Sequence, residues 1–73
     1  MAALKSERKR LGDNLQTLRK ERGLTQEQVA EKTGLHVSFV GRIERGQISA
    51  SLTTLVAFKR AFRCKWVELL NDG

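Results

Sequence analysis

The chain has no proline and no tyrosine, and cysteine, tryptophan and histidine occur once each. A lone Cys64 cannot close an internal disulfide, and without a paired Cys/His set there are no ligands for a structural zinc. His36 has no second histidine, cysteine or nearby acid at ligand or general-base spacing, so no metal, cofactor or catalytic site is expected, and no enzyme. Apolar runs fall well short of the roughly 20 residues that a membrane span needs, and no apolar signal segment is present. A cytoplasmic protein with no membrane partner is expected. Sustained period-2 alternation and Asn-Gly or Asp-Gly turns are also missing, which argues against strands. Internal repeats and low-complexity stretches are absent as well.

What the sequence does contain is charge of one sign. Fourteen Lys and Arg against eight Asp and Glu give +6 and a pI near 10.3, an excess that favours polyanions such as nucleic acid. With 40% hydrophobic and 30% charged residues the 73-residue chain is globular, and that length holds one small core with no second lobe. Lys5, Arg8, Lys9 and Arg10, less Glu7, carry half of the excess charge. Residues 1–8 therefore read as a basic segment before a domain at 9–73. Such a cluster is ordinarily a solvated helix end, and it can equally meet phosphates; the charge count does not choose.

Gly23, Gly34 and Gly46 recur at eleven or twelve residues, where a left-handed residue can end a helix, and they divide the chain into helical segments. The first is expected from about Ser6 to Arg22, with Leu4, Leu11, Leu15 and Leu18 along one stripe. Thr25-Gln26-Glu27-Gln28 has the form of a capping box that starts a second helix ending near Thr33. A third is expected over His36 to Arg45, burying Val40 and Ile43 with help from Phe39. A fourth follows Ser51 with Leu55, Phe58 and Phe62, and a fifth carries Trp66, Leu69 and Leu70. Trp66 and the phenylalanines are expected in the core. The fold class is thus all-α with five helices.

Gln26 to Arg45 holds two short amphipathic helices separated by a turn at Gly34-Leu35, a helix-turn-helix pattern. Ala30 is small where the helices would cross, Gly34 supplies the turn conformation, and Val29, Leu35, Val40 and Ile43 fill the space beneath. The opposite face of the third helix then comprises Val37, Ser38, Gly41, Arg42 and Arg45, a polar surface of a shape that enters a major groove.

LRKERGLTQEQVAEKTGL (Leu18 to Leu35) and FVGRIERGQ (Phe39 to Gln47), followed by SLTTL and a terminal VELL, resemble the XRE family of helix-turn-helix regulators. That family includes lambdoid repressors, Cro proteins and restriction-modification controller proteins. The resemblance spans about residues 9 to 70. It implies a five-helix, lambda-repressor-like DNA-binding domain, usually a homodimer on a pseudo-palindromic operator in double-stranded DNA. It implies further that Val37, Ser38 and Arg42 meet base edges, with Arg42 able to bond guanine O6 and N7 together. Gln26, the His36 amide, Arg45, Gln47 and Ser49 fall where relatives hold the DNA backbone. Arg19 and Glu44 match a structural salt bridge between the first and third helices. A twofold interface through Trp66, Val67 and Leu70 has family precedent, although these residues would also suit the interior of a monomer. The expected function is transcription regulation by promoter occupancy, as a repressor or, in the manner of a controller protein, an activator.

Three departures from the family pattern stand out. His36 replaces the usual Ser or Thr before the third helix, so a hydroxyl cap is lost unless a neutral imidazole or Ser38 takes its place. Arg63 replaces the usual Gly after the fourth helix, and Lys65 replaces the Ser or Thr before the fifth, so a displaced fifth helix is expected. Gly41, within the third helix, costs about 1 kcal/mol relative to Ala and invites a close approach of DNA. Competing functions are an antitoxin or coactivator-type module that binds a toxin or basal transcription factor, and an RNA-binding or nonspecific nucleoid protein; an activator dimer placed upstream would instead recruit RNA polymerase.

Overall fold

The computed structural model describes residues 2–71, with side chains from residue 7 onward. The side chains of Leu4 and Lys5, expected in the apolar stripe and the basic cluster, lie outside the described residues. Five helices follow in order: α1 (Ala2–Glu21), α2 (Gln26–Thr33), α3 (Val37–Glu44), α4 (Leu52–Phe62) and α5 (Trp66–Leu69), with no strand among the described residues. α1 packs on α3, α4 and α5, while α2 packs on α3 and α4.

Helix ends follow local chemistry. Gly23 is left-handed, with its own amide on Lys20 O at 3.0 Å and the Leu24 amide on Arg19 O at 3.1 Å, which closes α1. Gly46 closes α3 in the same way through its amide on Ile43 O and the Gln47 amide on Arg42 O. At the start of α2 the Thr25 hydroxyl accepts from the Gln28 amide and the Gln28 side chain accepts from the Thr25 amide, so the capping box forms in both directions. Ser51 caps α4 by accepting from the Thr54 amide at 3.2 Å.

Two helix limits differ from those expected. α1 begins at Ala2 rather than near Ser6, and it crosses residue 8 without a break. Ser6, a residue type that often caps a helix, lies inside α1 instead. α3 occupies Val37–Glu44, with His36 and Arg45 as its flanking caps rather than its first and last residues.

The core is formed by Leu15, Leu18, Val29, Ala30, Val40, Ile43, Phe58, Phe62, Cys64 and Leu69. Phe39 is only half-buried. Trp66 is not in the core as expected: it is 38% exposed, because Leu69 fills the space beneath α5 while Trp66 rests against Lys59. The fifth helix is held in place despite its irregular boundaries. Glu68 accepts from the Lys65 amide at 2.9 Å, and Asn14 on α1 donates to the carbonyls of Leu69 and Asn71 at 3.0 and 2.9 Å.

Arg63 takes the left-handed conformation that a glycine would normally occupy after α4, at φ 52°. An L side chain in that conformation costs about 1 kcal/mol or more, and the loop tolerates it because the Cys64 amide still reaches Lys59 O. Replacing Arg63 by Gly should raise stability by roughly 0.5 to 1 kcal/mol, read as a higher urea midpoint with an unchanged slope.

Burial pushes the Cys64 thiol above its ordinary value of 9.0. The Glu68 carboxylate pushes the same way, while Arg22 and Lys59 pull against it. The folded state therefore keeps this proton where the unfolded chain releases it. Its stabilising contribution is complete below the unfolded value and fades as pH rises through the folded one. Urea midpoints should fall as pH is taken above 9.0, and this part of the fall should vanish in Cys64→Ala.

Candidate nucleic-acid interface

α3 is fixed from beneath by apolar contacts and from one end by a buried ion pair. Val40 and Ile43 are buried against Val29 and Ala30 of α2 and Leu15 of α1. Beside them the Glu44 carboxylate accepts from Arg19 Nε at 2.7 Å and Nη2 at 3.2 Å, while Arg19 Nη1 donates to Leu24 O at 2.9 Å. A third donor, Gln26 Nε2, reaches Glu44 Oε1 at 3.0 Å. The arrangement ties α1, the start of α2 and the end of α3 together with every oxygen of the carboxylate engaged.

Backbone contact between α1 and α3 is unusually close at Gly12. A Cβ added there would stand 2.4 Å from Glu44 O and 2.5 Å from Ile43 O, so only glycine fits. Gly46 is similarly enclosed, with a Cβ meeting Lys9 Cα at 2.8 Å. These contacts seat the turn after α3 on α1, beside Arg8, whose Nε is buried with no hydrogen-bond partner among the described residues. Sequence reasoning passed over Gly12. An interior helix glycine aligned with Leu15 and Arg19 was the available sign.

On the outward side of α3, Ser38, Arg42 and Arg45 are exposed, and His36, Gln47 and Ser49 continue the same polar strip around the helix ends. The Arg42 side chain makes no hydrogen bond or ion pair with any described residue, whereas Arg45 Nη2 lies 3.4 Å from Gln47 Oε1. Val37 is half-buried, with part of its side chain packed on the core. Gln26 is half-buried too, its amide committed in part to Glu44.

Gly41 is not on the open face. It is buried, and a Cβ there would meet Arg45 Nη1 at 3.1 Å and Gln26 Oε1 at 3.5 Å. These two side chains cover it, so its small size admits Gln26 across α3 rather than DNA. The helical wheel alone put Gly41 outward because it treats the neighbour as a cylinder and ignores long side chains reaching over from α2.

His36 supplies the missing cap. Its Nδ1 accepts from the Ser38 amide at 3.1 Å, so the imidazole does what a serine or threonine hydroxyl usually does. Elsewhere on the surface, Val67 and Leu70 are 70% and 52% exposed and adjoin Trp66, which leaves the outer side of α5 apolar.

A small amphipathic helix with a polar outer face, crossed behind by a second helix through small residues and a left-handed glycine, is the geometry of a major-groove reader. The family model described as helix-turn-helix matches residues 15–69. The chain belongs to the XRE-type helix-turn-helix family of DNA-binding transcriptional regulators. Within this family, the chain is 36% identical over 64 residues to an uncharacterized HTH-type transcriptional regulator, y4dJ, of Sinorhizobium fredii, covering 88% of this chain and 83% of that one. It is 35% identical over 61 residues to the control protein C.SmaI of Serratia marcescens, covering 84% and 73% of the two chains. The crystal structure of the restriction-modification controller protein C.AhdI from Aeromonas hydrophila superposes with a TM-score of 0.84 at 36% identity, over 88% of this chain and 97% of that one. The fifth helix is anchored to α1 by Asn14. No described helix is long and apolar enough to cross a membrane.

Proposed function

We propose that this protein binds a specific pseudo-palindromic operator as a homodimer and regulates transcription by occupying a promoter. Two copies of α3 enter successive major grooves about 34 Å apart on one face of the duplex. Arg42, Ser38 and Val37 read bases, with Arg42 bidentate on guanine and Val37 against a thymine methyl. Gln26, the His36 amide, Arg45, Gln47 and Ser49 hold phosphates and so fix register without reading sequence. The basic residues near the start of the chain add to the long-range attraction for DNA.

The observation that carries this reading is the exposed guanidinium of Arg42, without a partner among the described residues, on a helix whose opposite face is locked by the Arg19–Glu44 pair. A side chain with five donors on a rigid support is suited to a planar pair of acceptors. Selection from random duplexes at a stated salt concentration, followed by footprinting, tests it. A recovered motif with twofold symmetry supports the reading, and equal binding to every duplex contradicts it.

The exposed apolar outer side of α5, formed by Trp66, Val67 and Leu70, supports a twofold interface there. Replacing the exposed Val67 by Asp should leave the thermal transition within a few degrees of its original value, because surface changes of this kind seldom exceed about 0.5 kcal/mol. It should also shift the sedimentation profile from dimer to monomer. A variant that remains dimeric would move the interface elsewhere.

A further inference from the structure

We propose that His36 fixes the hydroxyl of Ser38 as a hydrogen-bond acceptor toward DNA. The position read by Ser38 then selects a base that presents an amino group in the major groove, adenine or cytosine, over guanine or thymine. The inference rests on the placement of α3 in the major groove proposed above.

A backbone amide can only donate. The Ser38 amide points at His36 Nδ1 across 3.1 Å, so that nitrogen carries a lone pair and no hydrogen, and the neutral ring bears its proton on Nε2. The same Nδ1 lies 2.8 Å from Ser38 Oγ. A bare nitrogen can only accept, so the hydrogen in that contact belongs to the serine hydroxyl. A hydroxyl has one donor and two acceptor sites. With its hydrogen turned back to the ring, Ser38 offers lone pairs alone to whatever lies in front of it.

Serine ordinarily discriminates poorly between bases because its hydroxyl rotates to suit either donor or acceptor. Here the rotation is held by the residue two positions earlier, which is also the cap of the helix. The amino groups N6 of adenine and N4 of cytosine can donate to the outward lone pairs, whereas O6 and N7 of guanine and O4 of thymine meet them lone pair to lone pair. Because one Nδ1 lone pair serves two donors, the hold is that of a shared hydrogen bond. The expected discrimination is about three- to tenfold, the range of a single net hydrogen bond. His36 is thus a positioning residue for the specificity of Ser38.

The test has two arms. The chain contains a single histidine, so nitrogen-15 spectra of the free protein with the ring neutral report His36 without ambiguity. A bare Nδ1 and a protonated Nε2 are expected, and the opposite tautomer would overturn the proposal whatever the DNA does. In the second arm, the selected duplex is challenged with all four base pairs at each half-site position, using the original protein, Ser38→Ala and His36→Ser. Ser38→Ala should flatten one position, at which the original protein prefers adenine or cytosine about three- to tenfold. Replacing that base by an analogue lacking the exocyclic amino group should abolish the preference. His36→Ser keeps a hydroxyl cap for α3 and frees the Ser38 hydroxyl, so the same position should lose its preference while the thermal transition and the guanine preference read by Arg42 persist. His36→Thr serves as a second capped variant if the first proves unstable. A Ser38-dependent preference for guanine or thymine, or an unaltered preference in both His36 variants, would overturn the inference while leaving the operator reading intact. An original protein with no preferred duplex would overturn both.

Discussion

Replacing Arg19 by Met should lower the unfolding free energy by about 3 to 5 kcal/mol, a large fraction of what a domain of this size possesses. Glu44 has only 2% of its side chain exposed and Arg19 12%, so neither charge can recover water in place of the lost partner. Gln26 would remain on one oxygen, but Oε2 would lose its 2.7 Å donor and the Leu24 carbonyl its 2.9 Å donor. Urea denaturation of the variant measures the loss. Arg19→Met combined with Glu44→Leu should be markedly more stable than the single variant, because the penalty comes from stranding a buried charge. The exposed Lys9–Asp13 pair offers the contrast. At 2.6 Å it is as short as the buried bridge, yet with side chains 62% and 53% exposed, Lys9→Ala should cost less than about 1 kcal/mol.

The second large effect concerns recognition. Arg42→Ala should weaken binding to the selected operator by about 1 to 3 kcal/mol per half-site and relax preference at one position in each. Folding should be untouched, since the Arg42 side chain is exposed and makes no hydrogen bond or ion pair among the described residues. Arg45→Ala provides a comparison of a different kind: its loss should fall evenly on all sequences and reduce the salt dependence by about one phosphate contact per half-site. Titrations of both variants against matched and mismatched duplexes at several salt concentrations separate reader from clamp. A loss for Arg42→Ala confined to folding would return that residue to a structural role.

Features with a local chemical signature were legible in the sequence. Thr25 and Gln28 sit three apart and cap each other, Ser51 caps α4, and Gly23, Gly34 and Gly46 adopt the left-handed conformation that ends a helix. The apolar spacing in α1 to α4 likewise identifies Leu15, Val40, Ile43, Phe58 and Phe62 as core. Features set by contacts distant in the chain were not legible. Asn14 binding the carbonyls of Leu69 and Asn71, and Arg22 donating to Phe62 O at 2.6 Å while lying over the Phe62 ring, depend on where α4 and α5 come to rest. The same holds for Gly12, whose need for glycine appears only when α3 ends against it.

At the interface the limits were similar. The spacing within α3 identifies Ser38, Arg42 and Arg45 as outward, because they lie opposite Val40 and Ile43. It misplaces Gly41, which is covered by side chains belonging partly to another helix. Trp66 was expected inside on hydrophobicity, but in a four-residue helix one apolar side chain points inward, and Leu69 takes that place. His36 illustrates a different failure: residue statistics disfavour histidine as a cap, yet an unprotonated Nδ1 has the one property that the site requires, a lone pair aimed at an amide.

The most direct measurement is nitrogen-15 amide mapping of the protein titrated with its selected duplex. Shifts should concentrate at Gln26, along His36 to Arg42, and at Arg45 to Ser49, with α4 little affected. Shifts concentrated on α4, with Ser38 and Arg42 unmoved, would contradict the placement of α3 in the groove.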